Sequence, residues 1–224
     1  MRVEKRDRVS EFVERQSALR AAWTTPPKPP HTLRVVTWNL HEQGGPHGND
    51  YAATDCWRVL HRLAPDVVCL QEVVTPLELL PYSTVPTHGV VLACSTPLTD
   101  AKTVQLTTDR VVVTASTLLP SGALLRIGAT HIEPYDKVEQ RRQFLALPRN
   151  IHLLAGDFNT PLAPAYIPWL RADANRAATC WFGTRIDMVF HDHHVLTPLH
   201  CFAVPSALSD HIPVVADYTC NAVR

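Results

Sequence analysis

Apolar, β-branched runs recur along this chain, and nearly every one ends or begins in a small polar cluster. Leu33-Arg34-Val35-Val36-Thr37 runs into Trp38-Asn39, and Asp66-Val67-Val68-Cys69-Leu70 runs into Gln71-Glu72. Leu124–Thr130 ends at His131, and Ile151–Ala155 leads into Gly156-Asp157-Phe158-Asn159. Arg185-Ile186-Asp187 opens another run, and Ser209-Asp210-His211-Ile212-Pro213 leads into Val214, Val215 and Ala216. A run that is apolar at consecutive positions, without alternation, is a strand buried on both faces. Many such strands exceed one comfortable sheet, so the chain is expected to stack two sheets and cover them with helices.

The remaining periodicity fills in that plan. Leu33–Leu40, Asp66–Leu70, Gly89–Cys94, Arg110–Leu119, Leu124–Thr130 and Ile151–Ala155 are expected to be strands. Arg185–Phe190, Val195–Phe202 and Pro213–Tyr218 complete the set, and Pro120-Ser121-Gly122 reads as the turn between two of them. Residues 52–64, 136–147 and 163–171 carry helical spacing. Residues 3–22 also read as a helix, with Val3, Val9, Phe12, Val13 and Leu19 between charges, and Pro26, Pro27, Pro29 and Pro30 stop it. The expected organisation is therefore an N-terminal helix and proline-rich linker over 1–31, followed by a catalytic domain over 32–224. The helix either packs back on that domain or holds a protein partner, and packing is the simpler outcome.

Composition excludes several classes. Hydrophobic residues make up 46% and charged residues 19%, ordinary for a globular domain and incompatible with general disorder. Lys plus Arg and Asp plus Glu both number 21, so no net positive field advertises long nucleic acid. The N-terminal residues Arg2, Glu4, Lys5, Arg6, Asp7 and Arg8 leave no room for a signal-peptide core, and no apolar window reaches the length of a membrane span. The six cysteines are scattered without a C-x-x-C pair, which reads as free thiols and an intracellular, cytosolic or nuclear, setting.

Each polar cluster has its own chemistry. Glu72 follows a strand too apolar to leave a carboxylate uncompensated, and a divalent cation such as Mg²⁺ would compensate it. Asn39 offers a neutral oxygen of the right kind, although alone it reads as a turn residue. Asp157 can take a proton from an attacking water while Asn159 holds that water and a phosphoryl oxygen, yet an isolated G-D-x-N fits an Asx-turn equally well. Asp187 and His211 suggest a carboxylate–imidazole pair, with Asp210 free for a cation or bridging water and His131 a further donor toward phosphate. His191, Asp192, His193 and His194 read as a solvated turn, and Arg141 with Arg142 as an exposed helix face. Trp169 and Trp181 fit base stacking and rim packing equally.

Taken in order, Thr37-Trp38-Asn39, Leu70-Gln71-Glu72, Thr130-His131, Gly156-Asp157-Phe158-Asn159, Arg185-Ile186-Asp187 and Ser209–Val214 resemble the motifs of the endonuclease/exonuclease/phosphatase superfamily. The resemblance covers about residues 33–220. It implies a DNase-I-like α/β (α+β) four-layer sandwich, with two central mixed sheets flanked by helices. It also implies Mg²⁺-dependent (or Mn²⁺-dependent) hydrolysis of P–O bonds by in-line water attack. Carried over, Glu72 is the principal metal ligand with Asn39 and Asp210 on the metal side. Asp157, Asn159, Asp187, His211 and His131 become the catalytic set, with Asn39, Asn159 and His131 touching substrate. His131 matches the branch of DNase-I-like enzymes, sphingomyelinases and inositol polyphosphate phosphatases, whereas bacterial-type abasic-site endonucleases usually carry tyrosine there. The intervals Glu72–His131 and Asp157–Asp187 are shorter than in large repair nucleases, which suits a small phosphoester, a short single strand or a nucleic-acid end. The resemblance thus implies a phosphodiesterase or nuclease first, a small-molecule, inositol or lipid phosphate phosphatase second, and an inactive scaffold last.

Overall fold

The computed structural model describes residues 2–43, 53–74, 82–87, 89–119 and 122–221. Two six-stranded mixed sheets face each other. The first sheet has the order β11-β12-β1-β2-β4-β3. Its strands are β1 (Leu33–Asn39), β2 (Val67–Gln71), β3 (Ser83–Thr87), β4 (Val90–Cys94), β11 (Leu196–Ala203) and β12 (Val214–Cys220). The second has the order β5-β6-β7-β8-β10-β9. It comprises β5 (Thr99–Gln105), β6 (Val111–Leu118), β7 (Leu124–His131), β8 (Leu153–Asp157), β9 (Arg171–Ala172) and β10 (Asp187–His191).

Strand periodicity explains the layers. Along β1 and β2, Val35, Val67 and Cys69 point between the sheets, where they meet Val113, Ile127, Leu153 and Val189. Their neighbours Val36, Trp38, Val68 and Leu70 point outward, against Cys56, Leu60 and Leu63 of helix α2 (Ala53–Leu63). The outer face of the second sheet is covered by Phe144 of α3 (Lys137–Ala146) and Ala163 of α4 (Ala163–Tyr166), packed with Leu154, Phe158, Met188 and Phe190. Asp136 caps α3, its side chain accepting from the backbone N–H groups of Val138 and Glu139. The expected four-layer sandwich is the observed fold.

The N-terminal helix α1 (Arg2–Ala22) lies against the sandwich through the buried Val9 and Gln16. The proline segment after it is anchored too. Lys28 Nζ is 2.6 Å from Asp66, and the carbonyl of Pro26 accepts from Arg34 Nη1 at 3.3 Å.

Three strands escaped the sequence reading. β3 contains Pro86 and β5 is exposed and polar, and both are edge or near-edge strands without a continuous apolar run. The expected 163–171 helix stops after one turn, at Tyr166, because Pro168 cannot continue it, and Arg171–Ala172 pairs with β10 instead. β8 is displaced two residues from the expected run, so that Asp157 is its last residue. Residue 52 and the turn residues Pro120 and Ser121 lie outside the described residues. All six cysteines are free thiols. No described helix is long and apolar enough to cross a membrane.

Candidate active site

Strand register assembles the polar clusters. β1 and β2 run parallel with Asn39 opposite Gln71, so Glu72 follows at the same sheet end. β7 and β8 run parallel with His131 opposite Asp157, and antiparallel β10 sets Asp187 opposite Asp157. Gly156 is required here because a Cβ would sit 2.0 Å from the Thr130 carbonyl oxygen of β7. The last cluster is fastened to β1. Ser209 Oγ donates to the Asn39 carbonyl (2.8 Å), Trp38 Nε1 donates to the His211 carbonyl (3.1 Å), and His211 bridges to Cys180.

The side chains converge. Asn39 Nδ2 donates to Glu72 Oε1 and to Asp157 Oδ2, at 3.0 Å each, while its oxygen accepts the His41 N–H at 2.9 Å. Asn39 therefore meets the carboxylates through its nitrogen, not through the oxygen expected to face a cation. Asp157 Oδ1 accepts the Asn159 N–H at 2.8 Å. His131 Nε2 stands 3.1 Å from Asn159 Nδ2, 3.7 Å from Asp157 Oδ2 and 3.8 Å from Glu72 Oε1. His211 Nδ1 is 2.9 Å from Asp187 Oδ2 and 3.9 Å from Asp157 Oδ2, and Nε2 is 3.9 Å from Asp210 Oδ1. Glu72 and Asn159 both adopt left-handed backbone (φ 55° and 51°), a strain that clusters at functional sites.

Burial and charge push the protons apart. Burial raises the Asp157 pKa and the neighbouring Asp187 carboxylate adds to it, reaching about 7 against the relief from His211 and Asn39. Burial pushes His211 down, but the Asp187 carboxylate and its hydrogen bond, with Asp157 and Asp210, outweigh it and raise the pKa to about 10. His131 goes the other way: burial, then the positive Arg110 and His211, hold it well below the usual value and keep it neutral. The site thus contains a carboxylate poised near neutrality, a cationic imidazole and a neutral one.

Three contributors were not singled out in the sequence. Arg110 Nη1 donates to His131 Nδ1 across 3.1 Å and lies ahead of β6 with no motif around it. His41 Nδ1 stands 3.7 Å from Asp210 Oδ1, two residues beyond Asn39. The Thr179 hydroxyl accepts both Ile186 N–H and Asp187 N–H at 3.1 Å, from a loop of small residues that gives no sequence signal. Other polar residues stay outside. Gln71 is buried and bonds to the Cys69 carbonyl, Arg185 turns to Asp173, and Arg142 pairs with Glu139 on α3. Asp192, His193 and His194 bring possible ligand atoms within 4.8 Å of one another at a turn remote from this cluster. Trp169 stacks under Arg149, 4.6 Å from ring centre to guanidinium.

The donor set fits a hard divalent cation. It is rich in carboxylates and holds no thiolate, and the buried Asp187 Oδ1 and Asp210 Oδ1 lack hydrogen-bond partners. Asp157, Asp187 and His211 bring possible ligand atoms within 4.8 Å. His211 Nδ1 is engaged by Asp187 at 2.9 Å, which fixes the orientation of the imidazole.

The family model described as "Endonuclease/Exonuclease/phosphatase family" matches residues 36–211. Comparison with curated proteins gave no significant match. Among solved structures, an endonuclease/exonuclease/phosphatase from Bacteroides vulgatus is similar, with TM-score 0.73 and 18% identity over 85% of this chain and 99% of that one. One from Beutenbergia cavernae gives TM-score 0.71 and 20% identity over 85% and 72% of the two chains. A mannosyl-6-phosphatase from Bacteroides thetaiotaomicron gives 0.65 and 15% over 83% and 99%. At these identities the structures establish the shared fold, and the family match over most of the sequence establishes membership. The chain belongs to the endonuclease/exonuclease/phosphatase family of phosphoester hydrolases.

Proposed function

We propose that this chain is a divalent-metal-dependent phosphodiesterase that hydrolyses a P–O bond in nucleic acid or at its ends, by in-line attack of water. The observation that carries the reading is the single connected constellation of Asn39, Glu72, His131, Asp157, Asn159, Asp187, Asp210 and His211, each within 3.9 Å of another member. Glu72 and Asp210 would hold Mg²⁺, or Mn²⁺ in its place, with Asn39 tying Glu72 to Asp157. Bound there, the cation supplies neutralisation of phosphoryl oxygens. Asp157 takes the proton of the attacking water, a task suited to a carboxylate whose pKa is raised to about 7. Asn159 orients that water and a phosphoryl oxygen. His211, kept cationic by Asp187, faces the negative charge that builds on the phosphoryl group, and neutral His131 stands ready to donate to it.

A second reading, a phosphatase of small, inositol or lipid phosphates, is favoured by the balance of 21 basic and 21 acidic residues. An inactive scaffold is disfavoured because every residue of the constellation is present. One panel separates these readings: single-stranded DNA, nicked duplex, a 5′-tyrosyl oligonucleotide, bis-p-nitrophenyl phosphate, inositol phosphates and a sugar 6-phosphate, each with Mg²⁺ or Mn²⁺. The phosphodiesterase reading expects the diesters to be the best substrates, and turnover of monoesters alone would replace it with the phosphatase reading. A steep salt dependence of oligonucleotide binding would further support backbone contacts.

A further inference from the structure

Helix α1 does not close down on the domain along its whole length. It makes contact through buried Val9 and Gln16, and Trp23 beyond its end lies 6.1 Å from the ring of Phe202. Between α1 and the loop 177–183 a groove of about 550 Å³ remains, a volume typical of small-molecule sites (~300–1,000 Å³). Phe12, Arg8 and Arg15 form one wall, and Trp181, Phe182 and Ile212 belong to the other. Arg8 and Arg15 are two helical turns apart, so they lie along one line of α1, and the Arg8 guanidinium stands 5.9 Å from the centre of the Trp181 ring. Glu11 is the one acid in the lining.

We propose that this groove is a nucleotide-binding site. A planar base would lie against Trp181 and Phe182, and its phosphate would sit at Arg8 and Arg15. Rings accept any base by stacking, and a guanidinium matches phosphate oxygens in a forked, charge-assisted geometry. A purely apolar ligand would strip water from two guanidinium groups without compensation.

The groove is distinct from the catalytic cluster but shares its scaffold. Ile212 lines the groove, while the adjacent His211 faces Asp187. Trp181 N–H donates to the Asp210 carbonyl at 2.8 Å, and Thr179, from the same loop, holds the Asp187 N–H. A nucleotide bound here therefore rests on the loop that supports the Asp187–His211 pair. The α1 wall lies outside residues 36–211, over which the family model matches.

The test is calorimetric titration of the full chain in EDTA with AMP, ribose 5-phosphate and a 5′-phosphorylated trinucleotide. AMP is expected to bind, and the exposed-residue variant Arg8→Ala/Arg15→Ala to weaken it at least about 10-fold with an unchanged melting curve. Trp181→Ala is expected to weaken it about 10-fold as well. Ribose 5-phosphate, which lacks the base, should bind at least about 10-fold more weakly than AMP. A trinucleotide that binds more tightly than AMP would identify a strand end as the natural ligand, and equal binding a free nucleotide; both support the site. No AMP binding at millimolar concentration, unchanged affinity in the double arginine variant, or ribose 5-phosphate binding equal to AMP would each overturn it. Because no turnover is read, failure of the hydrolytic reading leaves this result independent.

Discussion

Asp157, at the end of β8, and Asp187, at the start of β10, are cross-strand partners, both fully buried, with the imidazole of His211 between them. Two carboxylates that share one cation cannot both ionise freely. Burial and the Asp187 charge raise Asp157 to about 7, and despite its own burial His211 is raised to about 10 by the same carboxylates. The pair of strands thus sets the acid–base chemistry of the site.

The pH–rate profile follows from those directions. In the proposed mechanism Asp157 must be ionised to act as base, so kcat/KM should fall as pH drops through about 7. The same mechanism needs His211 as a cation, so kcat/KM should fall again as pH rises through about 10. Asp187→Asn removes the strongest support for the His211 cation, and its alkaline limb should move toward lower pH. An alkaline limb in the same place in Asp187→Asn and wild type would contradict the assignment.

Cation binding should depend on Glu72 and on what orients it. Calorimetry with Mg²⁺ on Glu72→Ala is expected to show no binding. Asn39→Ala, which removes the donor 3.0 Å from Glu72 Oε1, should weaken binding about 10–100-fold. Full affinity in Glu72→Ala would move the cation site elsewhere.

Gly156→Ala should destabilise the fold. Its Cβ would meet the Thr130 carbonyl oxygen at 2.0 Å, a backbone atom that moves only with β7. Urea unfolding is expected to show a loss of about 3 kcal/mol, the upper end for an overpacked core. A change below ~1 kcal/mol would mean that the strands separate without cost.

Arg34 and Asp217 form a buried two-pronged ion pair, Nε to Oδ1 at 2.7 Å and Nη2 to Oδ2 at 2.8 Å, across β1 and β12. Arg34→Met leaves the Asp217 charge buried and should cost about 3–5 kcal/mol in urea unfolding. The double variant Arg34→Met/Asp217→Leu should recover most of that loss, because the pair is weak evidence for net stability. Additive losses in the double variant would refute this account.

The sequence made the central strands legible because those buried on both faces must be apolar at every position, as Val67–Leu70 and Leu153–Ala155 are. It concealed β5, whose residues other than Val104 face solvent, and β3, where Pro86 weakens the strand signal. The candidate residues stand out in the sequence because each follows or opens such a run. Their mutual placement does not, since it depends on register: Asp187 reaches Asp157 only through the β8–β10 pairing. Arg110 and Thr179 act through bonds to His131 and to the Asp187 backbone, and nothing local in the sequence marks either. Asn39 lies beside Glu72 and Asp157, but the direction of its amide is set by the His41 N–H, a contact no spacing rule reveals.

The most direct measurement is kcat/KM on the best substrate of the panel, for wild type and Asp157→Asn, with Mg²⁺ and with EDTA. Wild type is expected to show turnover that EDTA abolishes and that Asp157→Asn lowers by ~10²–10⁴ while the fold persists. Turnover that survives EDTA, or that Asp157→Asn leaves unchanged, would contradict the proposed mechanism.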